Sequence, residues 1–160
     1  MRIGVVSDTH NRLPNVGRIV ELFNQAAVER VIHTGDVTRG ATLHAFAALE
    51  APLIGVYGNN DERESLAEAA AARGFVFHEG PLRLTLAGRR IVVVHDPREL
   101  DALPAGEVDV ALHGHDHRHA AERAAGRLRF NPGECAGHMP GHNAIGIVDL
   151  ATLEVELLRF

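Results

Sequence analysis

One cysteine, no lysine and no tryptophan occur in 160 residues, and aromatics make up only 4%. Cys135 alone can form no intramolecular disulfide and supply no thiolate zinc site, which sets redox staples and zinc fingers aside. All sixteen cations are arginine, which excludes Schiff-base, P-loop and general-base chemistry that depends on lysine. Any cation that meets a substrate is therefore an arginine or a metal. The longest aliphatic run, Ile91 to Val94, falls far short of the about 20 apolar residues that cross a bilayer. Polar Ser7, Asp8 and His10 interrupt the apolar opening before a signal-peptide core can form. These features lead us to expect a cytoplasmic protein with no membrane partner. A formal charge of −5 without a basic block argues against a stable nucleic-acid complex.

Against these shortages stand eleven histidines, an unusual supply of the commonest metal ligand. The length suits one domain, residues 1–160, with no linker-like stretch to divide it. Arg2 to Val6 is a short apolar strand pattern that breaks into the polar turn Ser7 to Asn11. Val16, Ile19, Val20 and Phe23 then recur at helical spacing behind Pro14. The unit repeats at Val31 to His33 with Gly35-Asp36. It repeats again at Leu53 to Tyr57 with Gly58 to Asp61, followed by a helix from about Glu62 to Arg73. Three such units imply a parallel sheet. The second half reads as short strands at Phe75–Phe77, Leu82–Leu86, Ile91–Val94, Val108–Leu112, Leu128–Phe130, Ala144–Val148 and Val155–Leu158. Hairpin tips fall at Gly88-Arg89 and Ala125-Gly126. The expectation is an α/β fold of two packed sheets with helices outside.

In open α/β sheets ligands gather at the carboxyl ends of strands. Polar residues directly after apolar runs are Asp8 and His10, Asp36, Asn59 to Asp61, His95 and Asp96, and His113 to His117. Taken singly, each is more often a turn or capping residue. Nor is one His-x-His pair decisive, since random placement of eleven histidines yields about 0.7 such pairs. The coincidence of metal-binding types across five loops is the signal. Gly114 would permit a tight turn that frees His115 and His117 to point at a common atom. Carboxylates, imidazoles and one amide oxygen, without sulfur, suit Mn, Fe, Co, Ni or Zn and suit Ca²⁺ poorly. Seven such ligands exceed one ion's usual complement. Two ions about 3.5–4 Å apart, sharing a carboxylate, would use them for in-line displacement at phosphorus.

The ordered blocks Asp8-Thr9-His10, Gly35-Asp36, Gly58-Asn59-Asn60-Asp61, His95, Gly114-His115-Asp116-His117 and Asn131-Pro132-Gly133 resemble the calcineurin-like metallophosphoesterase superfamily. Within it they resemble the small single-domain prokaryotic phosphodiesterases. The resemblance implies a four-layer α/β/β/α sandwich of two mixed sheets flanked by helices. It also implies two divalent metal ions, manganese first and iron, zinc, cobalt or nickel as alternatives. Asp8, His10, Asp36 and His117 would hold one ion, and Asp36, Asn59, His95 and His115 the other, with Asp36 bridging. The implied activity is hydrolysis of a small phosphodiester by a hydroxide bridging the two metals. Asp36, Asn59, Asn60 and Asp61 are the residues expected to act in catalysis. The alternatives are a phosphomonoesterase or nucleotidase, and a non-catalytic scaffold of the same fold.

Two departures mark this chain. Many superfamily members have Gly-Asn-His-Asp where Asn60 stands here, and Asn60 cannot act as a general acid. Asp96 follows His95 where glycine is usual. Asp61 is expected to orient a neighbouring loop, to cap the following helix, or both. His33 reads as a packed residue near the site, His44 and His78 as surface, and His138 and His142 as exposed loop residues. Arg12 is a candidate phosphate contact, Cys135 reads as a buried inert thiol, and self-association is an open expectation.

Overall fold

Residues 1–102 and 106–160 are described by the computed structural model. Strands β1 (Arg2–Val6), β2 (Arg30–His33) and β3 (Leu53–Val56) lead into α1 (Leu13–Gln25), α2 (Gly40–Ala45) and α3 (Arg63–Ala71) respectively. The later strands are β4 (Val76–His78), β5 (Leu82–Leu86), β6 (Arg89–Val93), β7 (Val110–Leu112), β8 (Ala120–Ala124), β9 (Arg127–Asn131), β10 (Ala144–Asp149) and β11 (Val155–Arg159). The first sheet has the order β11-β10-β1-β2-β3-β4, and the second β5-β6-β7-β9-β8. Both are mixed: β1 to β4 run parallel while β10 and β11 are antiparallel, and β6, β7 and β9 run parallel between antiparallel edges.

Two apolar interfaces hold the layers. Val16, Ile19 and Phe23 of α1, with Leu43 of α2 and Leu66 of α3, pack on Val6, Val31 and Leu53 of the first sheet. Ile3, Val5, Ile32 and Val56 on its other face meet Ile91, Val93, Val110, Leu112, Leu128 and Phe130 of the second sheet. Central strands buried on both faces carry continuous apolar runs, as parallel strands covered by helices do. In β6 the period of two is plain, with Ile91 and Val93 facing inward while Val92 faces out beside Val94, Val108 and Ala111. Leu100, from the 3-10 turn Pro97–Ala102, covers that outer cluster. The fold is α/β with two mixed sheets, and its fourth layer is thin among the described residues.

The first hairpin tip is Ala87-Gly88, one residue before the expected Gly88-Arg89 because Arg89 already opens β6, and the second is Ala125-Gly126 as expected, all four residues at positive φ. Two-residue turns of that conformation match the twist of the strands they join. One strand escaped the pattern reading. In β8, Ala120-Ala121-Glu122-Arg123-Ala124 has no β-branched or aromatic residue and is mostly exposed, and its pairing with β9 alone makes it a strand. No helix among the described residues is long and apolar enough to cross a membrane.

Candidate metal centre

Five loops converge where β1, β2, β3, β6 and β7 end. Asp8, His10, Asp36, His115 and His117 all adopt left-handed backbone, with φ of 52, 38, 57, 75 and 58°. Asp and His tolerate this region better than most residues, yet each non-glycine instance costs about 1 kcal/mol or more. Cross-loop hydrogen bonds hold the turns: the Asp8 amide donates to the Gly35 carbonyl at 3.1 Å and the His10 amide to the Asp36 carbonyl at 3.1 Å. Gly114 is required for space rather than for its turn. A Cβ there would lie 2.7 Å from Asp8 Oδ2 and 3.0 Å from Thr34 Oγ1, and would collide with the Ser7 hydroxyl.

The donor atoms form two groups around one carboxylate. On one side Asp8 Oδ1 lies 3.7 Å from His10 Nε2 and 3.4 Å from His117 Nε2. On the other, Asn59 Oδ1 lies 3.0 Å from His95 Nε2 and 3.1 Å from His115 Nδ1. Asp36 Oδ2 sits between them, 3.4 Å from His10 Nε2 and 3.4 Å from His95 Nε2. Asp8 is fully buried and Asp36 nearly so, and Asp8 Oδ2 accepts hydrogen bonds from the Ser7 hydroxyl and the His115 amide.

Ring orientation is set from behind. His95 Nδ1 faces the Thr34 carbonyl at 2.9 Å, and a carbonyl only accepts, so Nδ1 carries the hydrogen and leaves Nε2 for a ligand. His117 Nδ1 faces the fully buried Glu134 Oε2 at 3.0 Å, the carboxylate–imidazole arrangement that orients metal-binding histidines. Among the described residues Asp8 Oδ1 and His10 Nε2 are buried with no hydrogen-bond partner, although buried polar atoms rarely go unpaired. Two facing orphan donors with oriented imidazoles fit divalent cations. Burial opposes the charge on Asp36, but His95 and the Asn60 donors outweigh it and hold its carboxyl well below the usual range. Burial likewise opposes protonation of His95, and Asp36 beside it lifts its pKa to about 9. A metal-free site thus holds protons where cations would sit, and ligation releases protons.

The family model of the calcineurin-like phosphoesterase superfamily domain matches residues 1–153. The chain belongs to that superfamily. Phosphodiesterase MJ0936 of Methanocaldococcus jannaschii is 36% identical to this phosphoesterase over 154 residues, 93% of either chain. Phosphodiesterase YfcE of Escherichia coli K12 is 27% identical over 177 residues, covering 99% of this chain and 93% of its own. A solved archaeal phosphodiesterase shares the fold with a TM-score of 0.92 and 34% identity, covering 100% of both chains. By family the protein is a phosphate-ester hydrolase, and such hydrolases use divalent metal ions.

Each remaining residue singled out in the sequence has a definite place in this phosphoesterase. Asn60 donates to both oxygens of Asp36, through its backbone amide at 2.9 Å and its Nδ2 at 2.7 Å. Asp61 accepts from the amides of Thr38 at 2.6 Å, Gly58 at 2.7 Å and Asp36 at 3.2 Å. It buckles two loops together and does not cap α3, whose N-cap is Glu62 without a side-chain bond. Burial and the neighbouring Asp36 charge raise the Asp61 pKa despite those amides. Asp96 pairs with Arg98, and its Oδ2 lies 3.9 Å from His115 Nε2, behind the edge of the ring that faces Asn59. His113 is buried on its strand end and His119 faces the Asn131 carbonyl, so neither joins His115 and His117 at the site. His44, His78 and His142 are exposed. His138, though exposed, stacks on His117 with ring planes 12° apart. Arg12 is exposed, with its Nε near Gly137. Cys135 is buried, which pushes its thiol pKa up and keeps it inert. Glu134, buried beside His117, is the residue of this candidate site that the sequence did not reveal. Its one signal there is an acid inside the small-residue run Gly133-Glu134-Cys135-Ala136-Gly137.

Proposed function

We propose that the protein is a cytoplasmic phosphodiesterase that hydrolyses small phosphodiesters with two divalent ions, manganese first among the candidates. Asp8, His10, Asp36 and His117 would hold one ion, and Asp36, Asn59, His95 and His115 the other. The observation that carries this reading is the position of Asp36 Oδ2, equidistant at 3.4 Å from an imidazole of each group. When bound, such a pair lowers the pKa of a shared water towards neutrality and offsets charge on the phosphoryl oxygens. The chain supplies only two carboxylates, Asp8 and Asp36, to that pair, and the remaining ligands are neutral. The centre therefore keeps net positive charge for an anionic ester, and Asn59 serves because its amide ligates without adding negative charge. Asn60 fixes both oxygens of Asp36, Asp61 fixes the two loops that carry Asp36 and Asn59, and Glu134 fixes the His117 ring. The names of both similar phosphodiesterases agree with diester substrates. Hydrolysis of bis(p-nitrophenyl) phosphate, measured after chelation and again after added Mn²⁺, tests the reading. Activity should vanish with the chelator, return with the metal, and exceed that on p-nitrophenyl phosphate. Absence of any metal-dependent rate refutes it, and a preference for the monoester makes the protein a phosphomonoesterase.

A further inference from the structure

His33 belongs to neither ligand group and is fully buried at the end of β2. Its two nitrogens nevertheless touch the two loops that supply Asp8, His10 and Asp36. The Gly35 amide lies 3.1 Å from His33 Nδ1, and Thr9 Oγ1 lies 3.2 Å from His33 Nε2. A backbone N–H can only donate, so Nδ1 is the acceptor, and Nε2 carries the hydrogen and donates to Thr9. Thr9 stands between Asp8 and His10, and Gly35 directly precedes Asp36. The ring is wedged between Phe46 and Phe77, each with its centroid 6.2 Å away, which leaves it little freedom to rotate.

Resting on the metal-centre reading above, we propose that His33 is a positioning residue for the metal pair, a neutral crosslink that fixes the Asp8–His10 loop against the Asp36 loop. The three ligands on these loops all hold left-handed backbone, which relaxes readily unless neighbours over-determine it. A ring bonded at both nitrogens supplies that constraint in one tautomer. The backbone bonds between the loops set their separation, whereas the Thr9 bond sets the rotation of the turn that aims Asp8 and His10 into one donor group. Contacts behind metal ligands are commonly worth about 10–100-fold in metal affinity.

The test is a double-mutant cycle read in Mn²⁺ affinity by calorimetry on chelator-treated protein. His33→Asn keeps an acceptor near the Nδ1 position but cannot reach Thr9, and Thr9→Val removes the Thr9 acceptor at nearly constant volume. His33→Gln keeps a donor near the Nε2 position and serves as the conservative rescue. Each of His33→Asn and Thr9→Val should weaken Mn²⁺ binding by about tenfold or more, and together no more than either alone, while His33→Gln recovers most of the affinity. Thermal unfolding with chelator present supplies the folding control for every variant. Independent effects that multiply in the double variant, or folded variants that bind Mn²⁺ as the parent does, overturn the proposal. Failure of the parent protein itself to bind Mn²⁺ overturns instead the metal-centre reading on which it rests.

Discussion

Replacing Asp61 by alanine should cost more than most changes in this chain, although Asp61 is placed as no metal ligand. Its carboxylate is 8% exposed and accepts three backbone N–H groups from two loops. The bonds from Asp36 and Gly58 are buried, and that from Thr38 is partly so. Each buried amide left without an acceptor costs about 1–3 kcal/mol, and the partly buried one less because water can reach it. Against this, burial already strains the ionised carboxylate, as its raised pKa records, and the variant is relieved of that strain. The net expectation for Asp61→Ala is a loss of about 3–4 kcal/mol. Asp61→Asn should lose only about 1–2 kcal/mol, because one amide oxygen can retain the pair of buried bonds that share Oδ2. Urea unfolding of chelator-treated protein at neutral pH measures both. A cost below 1 kcal/mol for Asp61→Ala, or equal costs for the two variants, would refute the buckle. The folded Asp61→Asn variant should also bind Mn²⁺ more weakly, since the Asp36 amide is one of the groups it holds.

Acid should act through His33, whose burial drops its pKa to about 3 against about 6.5 when unfolded. The folded state therefore binds fewer protons across that range, so this share of stability is complete above pH 6.5 and lost as pH falls towards 3. Between pH 7 and 4.5 the loss is about 2.5 kcal/mol, and the metal-free His33→Gln variant, which lacks it, should close on the parent by that amount. Equal pH slopes in unfolding experiments would show that His33 is not held neutral by the fold. Gly114→Ala pushes a methyl against Asp8 and Ser7, and should cost about 1–3 kcal/mol in unfolding experiments. Its Mn²⁺ affinity should fall alongside. Because only the folded chain brings the ligand groups together, Mn²⁺ at about 100 times its Kd should add about 2.7 kcal/mol of stability for each ion bound. A melting temperature unmoved by Mn²⁺ would count against ligation by these residues.

Much of this site could be read from position along the chain. Asp8, Asp36, Asn59, His95 and His115 each follow a strand whose apolar run is unbroken, because both of its faces are buried. What the linear pattern could not carry were contacts made across loops. Glu134 is one acid in a small-residue turn, and its meaning lies in the Nδ1 of a histidine seventeen positions earlier. Asp61 resembles a helix cap in sequence because it directly precedes the helix expected from Glu62, yet α3 begins at Arg63 and the Asp61 oxygens turn back to amides of the β2 and β3 loops. Gly114 suggested a tight turn, but what requires it is the Ser7 and Asp8 side chains across the gap between the sheets. β8 was missed for a related reason, since its composition has no strand preference and only its partner β9 makes it one.

In the proposed centre one carboxylate, Asp36, joins two metal ions. Electron paramagnetic resonance of chelator-treated protein titrated with Mn²⁺ tests it most directly. Two ions about 3.5–4 Å apart across a shared carboxylate are spin-coupled, so two equivalents should bind per chain and give a coupled signal. In Asp36→Asn the coupling should be lost with the fold retained. One equivalent at saturation, two ions with independent spectra, or coupling that survives Asp36→Asn would contradict it.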